Sequence, residues 1–89
     1  TVMSMEYSFT LTVPLTDLDK AMEILARAKQ KNPGMRQSRK TDRHDCARIY
    51  LSFPFTQSRP DLAFQQWFTP QQEEGWDLFG PDHGRWGLL

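Results

Sequence analysis

The chain has one cysteine and two histidines among its 89 residues. Cys46 has no intramolecular disulfide partner, and the placement of His44, Cys46 and His83 matches no metal-ligand spacing, so neither a disulfide scaffold nor a metal site is expected. No stretch approaches the roughly 20 apolar residues of a membrane-spanning helix. Residues 1–15 hold neither the basic start nor the unbroken apolar run of a secretory signal. A cytoplasmic protein without membrane contact is the expectation. A glycine-rich phosphate loop is also missing, and no cofactor is expected. Net charge is absent too: eleven Lys and Arg balance eleven Asp and Glu.

That neutrality hides a strong local imbalance. Residues 27–48 hold eight cations (Arg27, Lys29, Lys31, Arg36, Arg39, Lys40, Arg43 and Arg48) beside two acids, Asp42 and Asp45, a local balance of +6. The flanks, 1–26 and 59–89, each carry −3. A basic belt between acidic ends offers a field to an acidic protein surface or to phosphates. Aromatic residues are uneven as well. Eight of the eleven (Phe53, Phe55, Phe64, Trp67, Phe68, Trp76, Phe79 and Trp86) fall in the last 37 positions.

Residues 5–13 alternate without a fault. Met5, Tyr7, Phe9, Leu11 and Val13 occupy one face and Glu6, Ser8, Thr10 and Thr12 the other, a half-buried strand that Pro14 stops. Thr16 with Asp19 approximates a capping box. The stripe Leu18, Ala21, Met22, Leu25 and Ala28 then marks a helix to about Lys31, ended by Asn32-Pro33-Gly34. Residues 35–55 read as a hairpin with a polar turn at 42–45. Its second arm carries Ala47, Ile49, Leu51, Phe53 and Phe55 on one face. The first arm, 37–41, has no apolar residue and reads as a charged edge strand or a partly paired loop. Pro60 opens a helix of about nine residues carrying Ala63, Phe64, Trp67 and Phe68. Thr69-Pro70 is expected to restart helix for a turn or two with Trp76 and Phe79, before Gly80-Pro81 closes it.

These elements describe one small α+β domain over 1–79 with a Gly/Pro-rich C-terminal tail at 80–89. The order is that of a partial ferredoxin-like split βαβ: an antiparallel sheet of about three strands with helices on one face. A missing last strand has three candidate sources, namely the tail, another chain, or none.

No catalytic constellation stands out. His44, Asp45 and Cys46 are adjacent, which suggests a base-activated thiol, but the turn solvates His44 and no oxyanion-binding loop accompanies the pair. Glu73 and Glu74 read as an acidic first helical turn. The expectation is a non-enzymatic adaptor or inhibitor, of the kind that phages and mobile elements encode, occluding the surface of an acidic protein or protein complex. Its partner-binding residues are expected to be Arg36, Arg39, Lys40, Arg43 and Arg48 of the basic hairpin with Trp76 and Trp86 of the aromatic C-terminal region. The alternative is a nucleic-acid-binding module that sets segment 27–48 on phosphates. Against it, the chain shows no RRM, KH or zinc-knuckle signature. An unpaired edge strand also allows a homodimer by strand addition.

Overall fold

A computed structural model describes residues 3–40 and 45–87, and the side chains of 5–39 and 45–82. The chain runs β1 (Met3–Pro14), a 3-10 turn (Leu15–Asp17), α1 (Leu18–Lys31), β2 (Arg36–Lys40), β3 (Cys46–Pro54), α2 (Pro60–Phe68), a second 3-10 turn (Thr69–Gln71) and β4 (Asp77–Gly87). The strands form a four-stranded sheet in the order β2-β3-β1-β4, and each neighbouring pair is antiparallel.

The odd positions of β1 and β3 build the core. Phe9, Leu11 and Val13 of β1 and Ala47, Ile49, Leu51 and Phe53 of β3 are buried beneath Ala21, Ile24, Leu25 and Ala28 of α1 and Phe64 and Phe68 of α2. Both helices therefore cover the same side of the sheet. Phe64 is the hub of the packing, with ring centroids 5.5 Å from Phe9, 5.0 Å from Phe53 and 5.1 Å from Phe68. Tilted and stacked aromatic pairs at such separations add to the area term of burial.

Four sequence expectations change. The sheet has four strands where about three were expected, because β4 pairs with the free edge of β1. The stretch from 80 to 87, read as a tail and as one of three sources of a last strand, is the second half of that strand. The helical turn expected to carry Trp76 and Phe79 is not there: the 3-10 turn stops at Gln71, Gly75 takes a positive φ of 89°, and extended backbone begins at Asp77. Edge pairing with β1 overrides the local cap signal at Thr69. Finally, α1 has no side-chain N-cap. The carboxylate of Asp17 instead accepts a hydrogen bond from the indole nitrogen of Trp76 at 2.9 Å.

The link from β3 to α2 is locked by one arginine. Arg59 sits in the left-handed region at φ 51°, directly before Pro60, which disfavours right-handed helical backbone at the preceding residue. Its guanidinium forms a fork with Asp61, Nε to Oδ1 at 3.0 Å and an Nη to Oδ2 at 2.8 Å, and its Cζ lies 3.9 Å from the centroid of the Tyr7 ring. Asp61 is fully buried, whereas the Arg59 side chain remains about one-third exposed. The fork holds the Arg59 pKa above its ordinary value.

Leu25→Ala is expected to cost about 2 to 4 kcal/mol in chemical denaturation, the range for emptying a packed leucine site. Arg59→Ala leaves the Asp61 carboxylate without its fork. It is expected to lower the denaturation midpoint, because a fully buried carboxylate loses its charged partner. An unchanged denaturation midpoint in either variant would contradict the packing described.

Candidate docking face

The even positions of β1 and β3 point away from the helices, and no element of the described residues covers them. Strand register arranges this open face as three rungs that cross the sheet. The first runs Arg36, Ser52, Ser8, Asp82; the second Ser38, Tyr50, Thr10, Phe79; the third Lys40, Arg48, Thr12, Asp77. Directly paired residues in a sheet share a face, so each rung is a contiguous surface row. Cations stand at the β2 and β3 end of the outer rungs. Carboxylates stand at the β4 end, and the middle rung carries two aromatic rings.

A β-bulge in the β1–β4 pairing makes this pattern. Register shifts between Ser8 and Thr10, so β4 gains one residue there, and Phe79 and Asp82, which differ in parity, both reach the open face. Gly80 occupies the bulge at φ 131°, where a Cβ would lie 2.6 Å from the carbonyl oxygen of Ser8. Only glycine fits that position. Leu78, one step earlier, pairs with Leu11 and packs against the core. Phe79 is consequently 62% exposed, the highest value among the exposed large hydrophobic side chains of the described residues.

An open groove of about 610 Å³ lies on this face, lined in part by Ser8, Thr10, Arg36, Ser38, Tyr50 and Asp82. Arg36 forms an ion pair with Glu6 across the sheet. Arg48 and Tyr50 are half-buried and each engages neighbouring groups. Lys40 and Arg48 are direct cross-strand partners in the backbone register.

The sequence-expected site residues separate in space. Arg36, Lys40 and Arg48 occupy open-face positions of the register. Arg39 pairs with the buried Ile49 and so lies on the helix side of edge strand β2, away from them. Arg43 and His44 lie outside the described residues. Trp76 is not exposed: it is 9% accessible and its ring lies 6.1 Å from that of Phe68, so it belongs to the core and leaves the docking set. Trp86 pairs with Ser4 in the backbone register of β4, and its side chain is outside the described set.

Other members of the basic belt are engaged on the helix layer. Lys29 donates to the carbonyls of Pro33 and Met35 just past the C-terminal end of α1, and Lys31 stands 5.4 Å from the centroid of Trp67. Sequence reasoning missed Tyr50, Phe79, Asp77 and Asp82 as one surface. The alternation of β3 signalled Tyr50, but the bulge that sets Phe79 and Asp82 beside it has no local signature except Gly80-Pro81. Among the described residues no cluster of three metal-capable side chains occurs, and no helix is long and apolar enough to cross a membrane.

Gly80→Ala is expected to destabilise the domain by about 2 to 3 kcal/mol, the cost of forcing a side chain into a strained, crowded backbone position. Thermal unfolding checks it, and an unaltered midpoint would remove the bulge from the account of this face. Comparisons of the chain with protein-family models, with curated proteins and with solved structures find no match.

Proposed function

We propose that the protein is a non-enzymatic binding module whose open sheet face docks on, and occludes, an acidic region of a partner protein. The observation that carries this reading is a polar, hydroxyl-lined face without a helix over it, with Arg36, Lys40 and Arg48 gathered at one side. A face built for hydrogen bonds and charge, with two aromatic rings at its middle, has the composition of a contact surface. Its scaffold reads as the ferredoxin-like split βαβ arrangement. The β-α-β-β-α-β order and the interleaving of β3 between β1 and β2 support that assignment. In this arrangement the helices fill one side of the sheet and leave the other for a ligand.

The runner-up is single-stranded nucleic acid. Tyr50 and the exposed Phe79 favour it, since bases stack on such rings. Asp77 and Asp82 on the same face oppose it, because a phosphate backbone is negative along its whole length whereas a protein's acidic region can be confined to the cationic side. For that reason the protein partner ranks first.

Binding of labelled poly-L-glutamate, as a surrogate acidic chain, and of a single-stranded RNA oligomer separates the two. Poly-L-glutamate is expected to bind, and Arg48→Glu to weaken it by about tenfold, as one charge contact reversed at a partly solvated interface. Wild-type affinity in Arg48→Glu would overturn the docking role of this face. RNA binding that is tighter than poly-L-glutamate binding and falls steeply with salt would move the function to nucleic acid.

A further inference from the structure

Charge on the open face is not uniform but polarised across the strands. Both outer rungs begin with a cationic position on β2, Arg36 in one and Lys40 in the other, and end with a carboxylate on β4, Asp82 and Asp77 respectively. The central rung places Tyr50 and Phe79 on either side of Thr10. A purely acidic ligand that reached across all four strands would leave its far end against Asp77 and Asp82. Complementarity over the full width requires a ligand that changes sign.

From this layout, and resting on the docking role proposed above, we infer that the face recognises an extended peptide segment lying across the strands, with an acidic residue over β2 and β3 and a basic residue over β4. The spacing follows from sheet geometry. Three inter-strand gaps of about 4.8 Å span about 14 Å, which an extended chain rising about 3.3 Å per residue covers in about four residues. Alternate side chains of an extended chain face the same way, so positions i, i+2 and i+4 meet the sheet together. The segment therefore reads acid, any, apolar, any, base. Its apolar residue rests on the rung of Tyr50 and Phe79.

The order of charges is also a filter. Asp77 and Asp82 weaken the hold on uniformly acidic chains relative to mixed ones, and the Arg36, Lys40 and Arg48 positions do the same to uniformly basic ones. Arg36 is partly satisfied by Glu6, which places more of the acid recognition on the third rung, where the register pairs Lys40 with Arg48.

The test is a titration of the isotopically labelled full chain with three capped peptides, Glu-Ser-Leu-Ser-Lys, Glu-Ser-Leu-Ser-Glu and Lys-Ser-Leu-Ser-Lys, followed by amide chemical shifts. The mixed-charge peptide is expected to bind about tenfold more tightly than either control and to shift the amides of the three rungs. In Asp77→Lys with Asp82→Lys the preference is expected to pass to the di-acidic peptide. If the double variant loses its dispersed spectrum, Asp82→Lys alone carries the reversal. Equal or tighter binding of the di-acidic peptide by the wild type would overturn the mixed-charge inference and keep the docking face. No open-face shifts with any peptide, together with no binding of poly-L-glutamate, would overturn both.

Discussion

Strand β1 is hydrogen-bonded along both edges, to β3 on one side and β4 on the other, and its period-two alternation sets the character of both faces of the sheet. A slip of one residue would expose Phe9, Leu11 and Val13 and push Ser8, Thr10 and Thr12 among the aromatic rings of the helix layer, so register is specified by burial. The same alternation that builds the core therefore prescribes a polar open face. Stability and the candidate binding surface are not independent in this molecule: each hydroxyl that β1 and β3 contribute to the three rungs is the neighbour in sequence of a residue in the core.

Folding redistributes the charge that the linear sequence concentrates. Residues 27–48 look like one cationic belt, yet α1 carries part of it on the helix layer, where Lys29 is held by carbonyls and Lys31 by the face of Trp67. β2 then splits its own cations, with Arg36 and Lys40 at open-face positions and Arg39 toward the helices. Two acids of the C-terminal flank, Asp77 and Asp82, return to the opposite edge of that open face through β4. A run of like charge thus becomes a gradient across four strands, which selects a different kind of ligand from the one a uniform basic patch would attract.

The aromatic third of the chain divides in a similar way. Phe53, Phe64, Phe68 and Trp76 are spent on the core, and Trp76 gains a polar partner in Asp17, which lets an indole nitrogen be buried without loss. Phe55 leaves the sheet after Pro54 and stacks on Tyr7 with centroids 4.9 Å apart, remaining 45% exposed. Phe79 is turned outward only because the bulge at Gly80 changes the parity of β4.

The sequence by itself determined the elements whose signal is local and periodic. The alternation of 5–13, the apolar stripe of 18–31, the apolar arm of β3 and the Pro60 helix start all correspond to elements of the structure, because a period of two or of 3.6 residues records which side of an element is dry. Ile24 widened the buried stripe of α1 without moving it. Only the tertiary structure decided the fate of 77–87, whose three glycines, single proline and mixed polarity carry no strand period, and which is extended because β1 presents an edge to it. Tertiary structure likewise decided which cations share a face, since that depends on which residue of β3 stands opposite each residue of β2. Local chemistry writes the faces of single elements, but long-range hydrogen bonding sets which faces meet, and that pairing is not encoded within any one segment.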